Sequence, residues 1–144
     1  MRNTNQMELV SIGPGPAEAA RFDSLVAARP AFVKFHSPGC GHCRAMAGAW
    51  DALRHEPARR DVIVIEVHAD AIPHIKSECA RPEHVRGYPT LMHVHPGGRK
   101  AREYQGDRTT KDLLRFIEEE FKRKGEERRG ELRSRREARS RTRA

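Results

Sequence analysis

Apolar and polar positions along the chain alternate in segments whose periods change between helix-like and strand-like. Leu9 to Ile12 reads as a short strand, closed off by the loop signal Gly13-Pro14-Gly15-Pro16. From Ala17 to Ala28, Phe22, Leu25 and Val26 recur at helical spacing, and Pro30 bounds that helix. Ala31 to His36 (AFVKFH) has β-rich composition and is broken by Ser37-Pro38-Gly39. Helical spacing returns from Cys40 to about Arg54, with Met46, Trp50 and Leu53 on one stripe and Trp50 read as core. Val62 to Val67 (VIVIEV) is a nearly continuous β-branched run, the pattern of a strand buried on both faces of a parallel sheet.

A weaker stretch, Ile72 to Ala80, is predicted helical. Thr90 to His95 and Lys100 to Tyr104 then flank Pro96-Gly97-Gly98 as a hairpin. Thr109 to Asp112 offers a capping box for a last helix that turns Leu113, Leu114, Phe116, Ile117 and Phe121 inward. The predicted order β-α-β-α-β-α-β-β-α defines an α/β class with a mixed central sheet and helices on both faces.

The 144 residues suit one domain with a tail. Residues 1–7 are expected to be flexible, 8–121 to form the domain, and 122–144 to be a disordered or frayed helical extension. With 37% hydrophobic and 33% charged residues and no long apolar run, no membrane span is expected. Neither a secretory signal nor a retention signal is visible, which leaves the compartment open between cytoplasm, a virus particle and an oxidising lumen reached with a leader not in this sequence. The net charge of +8 is uneven, because residues 122–144 hold 11 Lys/Arg against 4 Glu. Such a tail suggests weak electrostatic contact with nucleic acid or an acidic partner. Its helical start would be supported by the pairs Glu118–Lys122 and Glu120–Lys124.

Three cysteines, Cys40, Cys43 and Cys79, are too few for a disulfide-built mini-domain, so any cysteine chemistry is local. Cys40-Gly41-His42-Cys43 directly follows a predicted strand and opens a predicted helix. Unpaired amides at a helix N-terminus favour an anion, so Cys40 is expected to be a thiolate nucleophile near neutral pH. Cys43 lies on the same helical face, within reach of a mixed disulfide at Cys40, as a resolving thiol. His42 adds partial positive charge that favours the dithiol over the disulfide. An alternative is a structural zinc site of Cys40, Cys43, Cys79 and His84, whose spacing is plausible. Cys79 alone reads as a packing residue, and His93 and His95, alternating on one strand face, as a packed or solvated pair with metal binding as the alternative.

FVKFHSPGCGHCRAMAGAW, GYPTL at Gly87 to Leu91 and YQGDR at Tyr104 to Arg108 together resemble the thioredoxin superfamily, in particular a catalytic domain of protein disulfide isomerase. The resemblance implies a thioredoxin-like fold and thiol–disulfide exchange on cysteine-containing proteins, as a monomer with no metal or organic cofactor. It implies that Cys40 attacks, Cys43 resolves and the two form a redox-active disulfide. His42 would set the potential, Pro89 would be a cis-proline packed against the disulfide, and Tyr88 and Pro89 would hold the substrate chain. Arg108 matches an arginine that lowers the pKa of the buried cysteine.

Three positions depart from the family pattern. Lys34 stands where the family has a buried Asp or Glu that shuttles the resolving cysteine's proton, and His36, on the same strand face, is the candidate to take that role. Gly39 and Gly48 replace a tryptophan and a helix-kinking proline. A reading from a different class follows from Lys34: a thioredoxin-fold binding module with weak or no redox turnover, docking through its basic tail.

Overall fold

The computed structural model describes residues 6–58 and 62–142, with the side chains of 122–131 and 140–142 excepted. Five strands, β1 (Glu8–Ile12), β2 (Ala31–His36), β3 (Ile63–His68), β4 (Thr90–His95) and β5 (Arg99–Tyr104), form one sheet in the order β1-β3-β2-β4-β5. β1, β3 and β2 run parallel, and β4 and β5 join antiparallel to β2. The parallel half needs crossover connections, which α1 (Pro16–Ala28) and α2 (Gly41–Asp51) supply, while the antiparallel half closes with a tight turn.

Side chains alternate across the two central strands and so divide the core in two. Ala31, Val33 and Phe35 of β2 with Ile63, Ile65 and Val67 of β3 pack against Phe22 and Val26 of α1. Phe32 and Val64 point the other way, onto Met46 and Trp50 of α2 and onto Leu113, Phe116 and Ile117 of α3 (Thr110–Thr142). Helices therefore cover both faces, and the β-branched run of β3 is buried on each, as its composition predicts.

The hairpin turn fastens to the rest of the molecule. Gly97 N–H donates to the Val26 and Ala27 carbonyls, and Cys79 N–H donates to Gly98 O. Gly97 and Gly98 hold φ of 101° and 81°, and a Cβ on Gly98 would lie 2.8 Å from the Ser77 side chain.

The stretch from Ile72 to Ala80 differs from the helix its apolar spacing predicts. It forms two short 3-10 segments, Ala69–His74 and Glu78–Ala80. Pro73 lies inside the first, where it has no N–H to give and its ring obstructs the preceding turn, so an α-helix cannot propagate through it. Ile72 and Ile75 still reach the α1-side core. The stripe starting at Cys40 likewise ends its α-helical part at Asp51 and continues as a 3-10 turn, Ala52–His55.

At its start, α3 is capped as the sequence pattern suggests: Asp112 N–H donates to Thr109 Oγ1 at 3.1 Å. The helix then continues to Thr142. Of the tail pairs expected from spacing, the Lys122 and Lys124 side chains lie outside the described residues, whereas Glu120 pairs with His93 and Arg102 on the sheet. Within the segment 1–7, residues 1–5 lie outside the description, Gln6 bridges Pro57, and Met7 is buried with its N–H on Glu56 O.

Candidate active site

The break after β2 places the two thiols. Ser37-Pro38-Gly39 turns the chain, Cys40 N–H donates to Ser37 O at 3.0 Å, and Cys40 becomes the N-cap of α2 in extended conformation. Arg44 N–H closes the first helical turn on Cys40 O at 3.1 Å. Cys40 is partly exposed, whereas Cys43, one turn on, faces the core and is buried. Both are free thiols.

Their environments drive their acidities apart. The Cys40 sulfur receives the backbone N–H and then the S–H of Cys43, further helped by the His42 N–H and the Arg108 charge, and its pKa is lowered. Burial raises the pKa of Cys43, and the backbone at Ser37 and the Lys34 charge oppose that rise. The site thus pairs an accessible acidic thiol with a sheltered, less acidic one. His42 itself is exposed, and its backbone N–H contributes to holding a thiolate at Cys40.

The loop before β4 supplies the opposite wall. The Tyr88–Pro89 peptide bond is cis, Cys40 Sγ lies 3.4 Å from Tyr88 O, and Thr90 Oγ1 donates back to Gly87 O at 2.6 Å. Tyr88 is 37% exposed. Two open cavities flank Pro89. One of about 440 Å³ runs over Leu91, Gln105 and Arg108, and one of about 450 Å³ runs over His84, Arg86 and Tyr88. Tyr104 shapes the first by donating its hydroxyl to Asp107 O at the corner that carries Arg108.

Beneath α2 the structure pairs Lys34 with Glu66. Lys34 is 1% exposed, with its Nζ 2.8 Å from Glu66 Oε2 and 4.8 Å from the centre of the Trp50 ring. The other carboxylate oxygen, Oε1, lies 3.3 Å from His36 Nε2. Lys34 and Glu66 are register partners across β2 and β3, so parallel pairing alone puts them side by side. Burial lowers the pKa of His36, the Glu66 charge opposes that, and Lys34 and His68 add to it. Glu66 was legible in principle. AFVKFH and VIVIEV are two buried strands, each interrupted by one charge, and the charges are of opposite sign.

The remaining candidates are not brought together. Cys79 is fully buried on the α1 side, its thiol pushed up to about 12 by burial, and His84 pairs with Glu78. No three His, Cys, Asp or Glu side chains gather as a metal site among the described residues, so the alternative zinc quartet of Cys40, Cys43, Cys79 and His84 is not assembled. His93 is buried against Phe121, with its ring 4.1 Å away, and faces Glu120; His95 stacks edge-on with His93 at 5.0 Å. No described helix is long and apolar enough to cross a membrane.

A thiol pair at a strand-to-helix junction, facing a cis-proline loop on a β1-β3-β2-β4-β5 sheet, defines a thioredoxin-like domain. The thioredoxin family model matches residues 15–119, and the chain belongs to that family. Within the family it is similar to protein disulfide isomerase-like proteins. It is 35% identical over 98 residues to a thioredoxin domain-containing protein 5 homolog of Drosophila melanogaster, covering 67% of this chain and 23% of that protein. It is 35% identical over 104 residues to a protein disulfide-isomerase-like protein, EhSep2, of Emiliania huxleyi, covering 69% of this chain and 45% of that one. Among solved structures it resembles the J-Trx1 fragment of ERdj5, with TM-score 0.56 and 26% identity over 76% of this chain and 49% of the fragment. The chain thus spans less than half the length of these relatives. Thiol–disulfide oxidoreductase is the general class that this membership supports.

Proposed function

We propose that the chain forms and rearranges disulfides in protein substrates through Cys40 and Cys43. In this reading Cys40, as thiolate, attacks a substrate disulfide, or in the oxidised pair its sulfur is attacked by a substrate thiolate. Cys43 then resolves the mixed disulfide, or leaves from the pair. His42 and Arg108 favour the Cys40 thiolate, and so favour the dithiol over the disulfide, which makes the oxidised pair a better oxidant. Tyr88 and Pro89 offer a wall along which an extended substrate backbone lies, with the flanking cavities receiving its side chains.

The observation that carries the reading is the asymmetry of the pair: an accessible thiol of lowered pKa, 3.4 Å from the Tyr88 carbonyl, above a buried thiol of raised pKa. The test is to equilibrate the full chain with glutathione buffers and trap the free thiols. A reversible Cys40/Cys43 couple near about −180 mV is expected for oxidase or isomerase work. A value near about −270 mV would reverse the direction to reduction, and a pair that never forms the disulfide would leave a binding module.

A further inference from the structure

Lys34 occupies an unusual position for an ammonium. β2 presents Phe32, Lys34 and His36 to the α2 side of the sheet, and Phe32 stacks on Trp50 at 5.4 Å. Trp50 shares with Met46 and Cys43 the buried stripe of α2. The ammonium therefore sits under the stripe that begins at the resolving thiol, 4.8 Å from the Trp50 ring centre. Glu66 binds it from the solvent side, since the carboxylate side chain is 25% exposed against 2% for Lys34.

A role in stability alone does not account for the pair. Taking two charges out of water generally costs as much as their attraction returns, and apolar replacements of similar volume are often neutral or stabilising. Beside the buried Phe32 and Val64 of this face the two strands nevertheless carry one charge each, in register, with His36 and His68 at the strand ends beyond them.

We propose that Lys34 and Glu66 are a positioning pair for the resolving step: Glu66 holds the Lys34 ammonium beneath α2, and the ammonium stabilises Cys43 as the thiolate that attacks the mixed disulfide. This rests on the redox function proposed above. Cys43 S–H gives its proton to solvent base, and the thiolate attacks Cys40 Sγ. The Cys40–Cys43 bond forms as the bond between Cys40 and the substrate breaks, and the substrate sulfur departs as a thiolate that takes a proton from solvent. Over the two exchanges the dithiol loses two electrons and the substrate disulfide gains them. In the oxidising direction Cys43 is the leaving thiolate, and the same cation stabilises it.

The charged and titratable groups around the pair are His36 and His68 on the strands, with Asp70 beside His68, and Cys40 and Cys43 on the helix. His36 contacts the solvent-side oxygen of Glu66, so it modulates the carboxylate and the ammonium keeps its inner side toward α2. The opposing influence of Lys34 on the burial-raised acidity of Cys43 agrees with this geometry.

The test is the pH profile, from pH 5 to 9, of resolution of a glutathione mixed disulfide at Cys40 in the full chain. Three proteins are compared: the native chain, Lys34→Met, and Lys34→Arg, which keeps a cation beside Glu66 under α2. In Lys34→Met, resolution at pH 7 should slow by about tenfold and recover about one pH unit higher, whereas Lys34→Arg should stay close to the native profile. A Lys34→Met profile superimposable on the native one would overturn the proposal, and if Lys34→Arg does not fold, Lys34→Met decides. NMR titration of Cys43 in the reduced protein separates this inference from the function beneath it. An upward shift in Lys34→Met supports the pairing even in a chain that turns over no substrate, and no shift refutes it even in an active one.

Discussion

Phe32 is the residue through which the site's supports meet, and truncating it should separate stability from chemistry. Its side chain is fully buried, and its ring lies 5.4 Å from Trp50 of α2, 5.4 Å from Phe116 of α3 and 6.4 Å from Tyr104 of β5. Phe→Ala at such a position costs about 3–5 kcal/mol, from lost transfer energy and the cavity left behind. Each of the three aromatic pairs adds about 0.5–1.5 kcal/mol beyond area burial, so Phe32→Leu, which keeps most of the volume, isolates the ring-specific part at about 1.5–4.5 kcal/mol. Against a total stability of about 5–15 kcal/mol, the alanine variant should lose roughly a fifth or more. Urea unfolding followed by Trp50 fluorescence measures this, with an unchanged m-value as the condition for comparison. In the folded fraction of either variant, Cys40 should keep its alkylation rate, because its acidity is set by the α2 N-terminus and not by the ring cluster. A loss below about 1 kcal/mol for Phe32→Ala would refute the claim that this cluster joins α2 to α3 over the sheet, since a site able to collapse that well would not be holding them together.

Other outcomes follow from the thiols. Cys43→Ser should accumulate a mixed disulfide with an oxidised protein substrate, visible on non-reducing gels, whereas Cys40→Ser should accumulate none; equal trapping by both variants would remove the assignment of attacking and resolving roles. Iodoacetamide should label Cys40 in the native protein below pH 8 and leave Cys79 untouched until the chain unfolds. Cys79 also makes an alkaline prediction. Its pKa rises from 9 to about 12 on folding, so the neutral thiol's contribution is fully present below pH 9 and is lost as pH climbs toward 12. Cys79→Ala should flatten the loss of stability between pH 9 and 11, and an unchanged slope would show that other groups govern it.

Most of the fold could be read from the order of apolar runs because the strands are short and several are bounded by Gly or Pro. The central strand β2 and the hairpin are examples, with ends matching the sequence signals to within a residue. The segment after β3 was harder. Ile72 and Ile75 carry helical spacing, yet Pro73 limits the backbone to 3-10 turns, and pattern alone does not weigh the two against each other. The thiols and the loop at Pro89 were legible because local motifs place them. The charge of Glu66 stands out in its strand, but its pairing with Lys34 depends on which strand lies beside β2 and in what register, information that no local window contains. The same applies to the contacts that Glu120 makes with His93 and Arg102, which come from the sheet.

The turn at Gly97 and Gly98 lies at the end of the sheet remote from the thiols, because β4 runs antiparallel to β2 and starts beside the loop that faces Cys40. There the backbone is tied to α1 and to the segment before it at once, and Gly98 has no room for a methyl group. The protein is therefore constrained in two different currencies at its two poles. At the thiol pole, substitutions are judged by charge and proton affinity, and the open walls around Pro89 leave shape free to vary with the substrate. At the far pole they are judged by sterics alone, so a change as small as one carbon acts on the assembly of the whole sheet while leaving the chemistry of any correctly folded molecule untouched.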